Sequence, residues 1–422
     1  MQRRTPLVFA AAAAIATLTL TACSNNPSSG GDGEEAVLTF FAMPDAQDAY
    51  GAVIDKFEAE NPGVTINLES SPDVENILLT QLQAGQGPDL IPTQPNRNPN
   101  AGIGTTALAS KGYLADLSDE DWVSLVPEKY ASLNQYEGKT YAYPGIVQPL
   151  GAFYNAATLE ETGLEPPETW SEVLEFCADS KDAGKVAYSL GYQDIWITQL
   201  IPLALATSIV YGPTPDWDTQ LDEGSVQFTD EAWTEVFEKV DQMKGAGCFT
   251  PDPAGVNLDA QLSAVAAGDA VGVVHVGGVF SVLEAKDPEL EYVLRPLPAT
   301  DDPEDTVFSG DLGVGVAVNA NSKHLDIAKE FVAFLAQPEN INAYADVVGG
   351  VIPAASEGFE PVPLLETFAE FSEAGRTLPF PQYAGPVRQI QEVMITEIQN
   401  MWLGGGSPTK VVEEMQRAFD AG

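Results

Sequence analysis

The sequence predicts an α/β fold, and three observations carry that expectation. Strand-like and helix-like segments alternate through the first third of the chain. The stretch 36–422 is long enough for about two domains. Hydrophobic residues make up 44% of the chain, ample for a buried core. Such alternation implies a parallel sheet with crossover helices.

The elements follow in order. Val37-Leu38-Thr39-Phe40-Phe41 reads as a strand. Over 48–60, Tyr50, Val53, Ile54 and Phe57 recur at helix spacing, and Asn61-Pro62-Gly63 stops the helix. Val64-Thr65-Ile66-Asn67-Leu68 alternates as a second strand. Residues 77–84 are helical, and Gly87-Pro88 leads into a short strand, Asp89-Leu90-Ile91. Ligands of open α/β sheets sit beyond the carboxyl ends of strands, so 41–47 and 92–97 form a candidate pocket edge. Thr169-Trp170-Ser171-Glu172 fits a capping box opening a helix to about residue 184. Residues 230–244 form another helix, with Trp233, Val236, Phe237 and Val240 on one face. An apolar strand at 270–276 ends at Gly277-Gly278, and 312–319 is a strand followed by a helix over about 326–335. Two helices close the chain, 387–403 and 408–421, the second with Ser407 as cap and Pro408 in its first turn.

The N-terminus has its own pattern. Arg3-Arg4 precede a run from Leu7 to Leu20 without a charge, followed by Thr21-Ala22-Cys23. A basic start, an apolar middle and small residues at the cut describe a secretory signal peptide. The run is short of the roughly 20 apolar residues a bilayer span needs. Leu20-Thr21-Ala22-Cys23 resembles the bacterial lipobox, which implies that Cys23 is diacylated and begins the mature chain. The arginine pair also hints at twin-arginine export, which the residues after it match weakly. Ser24 to Glu35 holds nothing that could pack a core, so it reads as a leash.

The formal charge is −43, and loss of Arg3 and Arg4 would make it more negative. Nucleic acid and anionic membrane surfaces are therefore repelled, and a neutral or cationic ligand is favoured. Cys177 and Cys248 remain once Cys23 is set aside. In an oxidising compartment they read as a disulfide, with two reduced buried thiols as the alternative.

Several stretches together resemble the extracellular solute-binding proteins of ABC importers, in the carbohydrate-binding group that includes the maltose-binding proteins. They are Phe57-Glu58-Ala59-Glu60-Asn61-Pro62-Gly63-Val64, Gln83-Ala84-Gly85-Gln86-Gly87-Pro88-Asp89-Leu90-Ile91 and Gly112-Tyr113-Leu114-Ala115-Asp116-Leu117. Gly138-Lys139-Thr140-Tyr141-Ala142-Tyr143-Pro144, Phe153-Tyr154-Asn155, Thr169-Trp170 and Asn321-Ser322-Lys323-His324-Leu325-Asp326-Ile327-Ala328-Lys329-Glu330-Phe331 continue the series. The resemblance implies a two-lobed periplasmic-binding-protein-like fold (type II), with three hinge crossings and a ligand cleft between the lobes. The crossings are expected near 141–154, 296–310 and 350–353. The chain then divides into a signal peptide (1–22), a lipidated linker (23–35), the first lobe (36–145 and 306–350) and the second lobe (146–305 and 351–422).

The resemblance also implies a role: an extracellular receptor that captures a mono- or oligosaccharide by hinge closure and delivers it to two membrane permease subunits. A lipid-anchored monomer without cofactor or metal is expected. Sugars offer apolar faces to aromatic rings and hydroxyl rims to polar groups. By the family layout, Asp45 and Gln47 follow the first strand, and Thr93, Gln94, Asn96 and Arg97 follow Asp89-Leu90-Ile91. Tyr154 follows the first crossing, and Gln193, Asp194 and Trp196 precede an apolar helix. Gly277 and Gly278 end a strand where the family often continues with Trp, here replaced by Val279 and Phe280. Ser309, Gly310 and Asp311 lie at the second crossing, and Gln382 and Tyr383 precede the penultimate helix.

Enzyme signatures are weak. Gly138-Lys139-Thr140 ends like a phosphate loop, but position 133 is Leu rather than the required Gly. Gly102-Ile103-Gly104-Thr105-Thr106-Ala107 matches a dinucleotide fingerprint loosely, after a Pro/Asn-rich loop instead of a strand. No Gly-x-Ser-x-Gly occurs, and the two histidines, His275 and His324, stand in unrelated contexts. A tethered glycoside hydrolase using a carboxylate pair remains the alternative from another class, and an importer receptor for peptide or polyamine the alternative within this one.

Overall fold

The computed structural model describes residues 35–71, 73–96, 102–354, 359–379, 381 and 388–421. Cys23, Arg97, Gln382 and Tyr383 lie outside them, as do the side chains of Asp45 and Asp311. The strands, in chain order, are β1 (Ala36–Ala42), β2 (Val64–Ser70), β3 (Leu90–Thr93), β4 (Gln135–Tyr136), β5 (Lys139–Thr140), β6 (Ala142–Tyr143) and β7 (Ile146–Asn155). They continue as β8 (Val186–Tyr188), β9 (Ala270–Val276), β10 (Tyr292–Arg295), β11 (Phe308–Leu312), β12 (Gly315–Val318), β13 (Ile352–Pro353) and β14 (Thr377–Pro379).

Two sheets organise the molecule, one per lobe. The first runs β2-β1-β3-β12-β6. Its first three strands are parallel, linked by the helices Gln47–Glu60 and Val74–Gln83. That start matches the sequence pattern closely: Tyr50, Val53, Ile54 and Phe57 form the buried stripe of the first helix. Phe57 meets Phe331 and Phe334 edge to face, joining this helix to the helix Leu325–Leu335. The sheet is not wholly parallel, because β12 enters from the other lobe and lies antiparallel to both β3 and β6.

The second sheet runs β14-β11-β7-β9-β8, with β10 and β13 also paired to β7. The ten-residue β7 is its spine, and every residue of it is buried except Gln148. Outside this sheet pack the helices Trp170–Asp182, Glu231–Ala246, Arg388–Trp402 and Pro408–Ala421. The predicted capping box is present at Thr169 and Glu172, and Ser407 Oγ accepts the Lys410 N–H at 3.2 Å. Cys177 and Cys248, both buried, are joined as a disulfide across a separation of 71 residues. Among the described residues no helix is long and apolar enough to cross a membrane.

The chain passes between sheets three times: between Tyr143 and Ile146, between Leu312 and Gly315, and ahead of β13. The second passage falls later than the expected 296–310. Phe308–Leu312 is held in the second sheet by β7 on one side and β14 on the other, so the run 312–319 conceals a crossing at Gly313-Val314. Segment 306–312 thus belongs with the second lobe.

Candidate ligand-binding cleft

A cavity of about 380 Å³ opens where the two sheets meet. The first lobe contributes Phe40 and Pro92, from β1 and β3, together with Met43, Tyr50 and Tyr344. The crossings contribute Ile146, Gln148, Gly313 and Val314, and the second lobe contributes Gly278, Ser281 and Val282. Parallel β1 and β3 deliver their carboxyl ends to this side, as the crevice rule for α/β sheets requires. Asp48 is the single charged residue among those lining the cavity. Its walls are therefore apolar and aromatic with a few polar groups, the usual character of small-molecule sites.

Gln148, just past the first crossing, lies on the second sheet and lines the cavity. Its side-chain Oε1 accepts the Gly278 N–H at 3.3 Å. A polar residue interrupting the apolar run of β7 was the available signal for it, and sequence reasoning passed over it. Tyr50, Tyr344, Ser281 and Val282 were also missed. The two tyrosines carry helix periodicity indistinguishable from core, and Ser281 and Val282 sit in a short helix, Phe280–Lys286.

The expected contacts divide sharply. Gln47 begins the first helix and is half-buried beside the cavity-lining Asp48. Gln94 is half-buried after β3, with its backbone bridged to Gly104. Thr93 and Asn96 are buried, and Thr93 Oγ1 has no hydrogen-bond partner among the described residues. Gln193 is exposed, and Asp194 Oδ2 accepts the Leu258 N–H at 2.7 Å. Trp196 is 39% exposed, set edge to face against buried His275. Trp196 follows the carboxyl end of β8, and His275 sits near the carboxyl end of the parallel β9. Trp196 is not among the residues lining the cavity.

Four of the expected contacts are structural. Tyr154 is fully buried in the second lobe's core, its hydroxyl 3.0 Å from that of Tyr188. Burial drives its pKa well up, and it presents no surface to a ligand. The strand alternation that would aim it at a cleft aims it at Phe176 and Tyr188 instead. Ser309 is buried inside β11. Gly310 is there for packing: a Cβ would stand 2.9 Å from the Tyr130 hydroxyl and 3.0 Å from the Phe368 ring. Gly277 serves the third crossing, since a Cβ on it would lie 2.0 Å from the Gly350 carbonyl oxygen. Gly278 does line the cavity.

The phosphate-loop fragment resolves as a hairpin. Glu137 and Gly138 both have positive φ, 50° and 77°, the two-residue turn that joins β4 to β5. Lys139 leaves that turn to pair with Asp116 at 2.7 Å. Among the described residues no group of three or more His, Cys, Asp or Glu is placed to hold a metal ion.

Known proteins give the context. A family model described as bacterial extracellular solute-binding protein matches residues 52–363. The chain is similar to the multiple sugar-binding protein of Streptococcus mutans, 23% identical over 350 residues, covering 82% of this chain and 81% of that protein. It is 25% identical over 338 residues to the melibiose/raffinose/stachyose-binding protein of Bacillus subtilis, covering 78% and 76%. In three dimensions it resembles the solute-binding protein RafE in complex with raffinose, at TM-score 0.78 and 21% identity, over 92% of this chain and 99% of that one. With its two lobes, three crossings and interlobe cavity, and with a family match over well more than half its length, the chain belongs to the bacterial extracellular solute-binding proteins.

Proposed function

We propose that this protein is the non-catalytic receptor of an ABC importer and that it captures an oligosaccharide between its lobes. The single observation that carries the reading is the interlobe cavity, aromatic and apolar with polar groups and one carboxylate. An uncharged polyol fits such walls, with rings covering its faces and amide and hydroxyl groups meeting its rim. Relatives named for multiple sugars, raffinose and stachyose favour the same ligand class. Bending at the three crossings would close the lobes and exclude water. Two permease subunits would then distinguish the closed form, because a ligand shifts populations only through differential affinity. In this reading Cys23 carries the lipid, residues 24–35 are the leash, and the receptor works outside the cell as a monomer.

A thermal-shift panel tests the ligand class: raffinose, stachyose, melibiose and maltotriose beside amino acids, peptides and polyamines. A sugar should raise the midpoint, with a dissociation constant near micromolar, about 8 kcal/mol. A rise with amine or peptide alone defeats the carbohydrate assignment. Shortened oligosaccharide products would make the protein a hydrolase. Mass spectrometry of the membrane fraction tests the anchor, which a mature chain lacking acyl groups on Cys23 rules out.

A further inference from the structure

We propose that His275 is a positioning residue that holds the Trp196 indole as a rigid platform, through an N–H donated from Nε2 to the ring face. The contact stands on geometry, and only the platform's use rests on the receptor reading above. His275 is fully buried in β9. Its Nδ1 accepts the backbone N–H of Val276 at 3.0 Å. A ring nitrogen that accepts carries no hydrogen, so the neutral imidazole holds its proton on Nε2.

That Nε2 has no hydrogen-bond partner among the described residues. A buried donor left unmet is costly. The group set against the imidazole is aromatic: Trp196, with ring centroids 5.1 Å apart and planes at 89°. Perpendicular rings let an N–H edge meet the negative face of a π system. Burial keeps the imidazole neutral, its pKa pushed down to about 3, so the donor persists at working pH. The indole is thus pinned from beneath while 39% of the residue stays exposed. A ring already fixed before binding loses little freedom when a sugar stacks on it.

The chain has two histidines, His275 and His324, so isotope labelling of histidine alone resolves both by NMR. His275 should show the Nε2–H tautomer, with that proton slow to exchange and displaced by the indole ring current. Trp196→Ala should move it while leaving His324 unchanged. A protonated Nδ1, or an Nε2–H signal indifferent to Trp196→Ala, overturns the contact. For binding, His275→Leu should weaken sugar affinity about fivefold. His275→Gln, which returns an N–H near the same position, should recover most of it. Equal losses in both at unchanged Tm overturn the positioning role, and if His275→Leu fails to fold the Trp196→Ala spectrum still decides. Wild-type protein that binds no sugar yet keeps the NMR signature sinks the carbohydrate reading and leaves the contact supported.

Discussion

At the scale of single residues, exposure separates candidates that sequence could not. Trp196 and Tyr154 both looked like sugar platforms, yet one presents a face to solvent and the other fills a core. We expect Trp196→Ala to weaken sugar binding at least tenfold with Tm held, and calorimetry showing equal affinity would remove it from the site. Tyr154→Phe should do the reverse. Affinity should stay within about twofold, while stability falls by about 1 kcal/mol for the lost Tyr188 partner, read by urea denaturation. The family layout placed Tyr154 after the first crossing but not which side of its strand faces the cleft, because both faces of β7 are covered and its alternation is erased.

At the scale of elements, local chemistry was largely legible. The helix over 47–60, its Asn-Pro-Gly stop, the Thr169 capping box and the Ser407 cap depend on neighbours within a few residues, and each formed where the sequence placed it. Elements tied together at long range were less legible. The β4–β5 hairpin is one, since its Lys139 reaches Asp116 and holds that carboxyl down, helped by Ser118, from the ordinary 3.8 to about 2. A lowered folded-state pKa stabilises above the unfolded value, and the contribution fades as pH falls from about 4 to about 2. Both partners are well exposed, so screening limits the effect to under about 1 kcal/mol. Asp116→Asn should therefore cost a small amount at pH 7 and nothing at pH 2, measured as the difference in urea midpoint. The Gly277 loop is another such element. Gly277→Ala must displace the Gly350 crossing, and we expect about 2 kcal/mol of lost stability or more; an unchanged midpoint would show that the crossing yields freely.

At the scale of the whole molecule, the hinge and the staple matter most. The disulfide ties the helix Trp170–Asp182 to the end of the helix Glu231–Ala246, both packed on the second sheet. It constrains the second lobe and leaves closure free. Replacing both cysteines with serine should lower unfolding free energy by about 4 kcal/mol in the chain-entropy picture while sugar affinity is retained. A large affinity loss in the folded variant would show that the bridge shapes the cleft as well. Two free thiols in the unreduced mature chain would show that the bridge does not form.

By itself the sequence determined the α/β alternation, the helix stops and caps, and, through ordered family motifs, the two-lobed plan. Those features rest on residues near one another in the chain or on short motifs in a recognisable order. Only the tertiary structure decided where the second crossing falls, that Gln148 lines the interlobe cavity, and that Gly277 and Gly310 are spaces for packing. A cleft is made by segments distant in sequence, and which face each one turns inward depends on what covers the other.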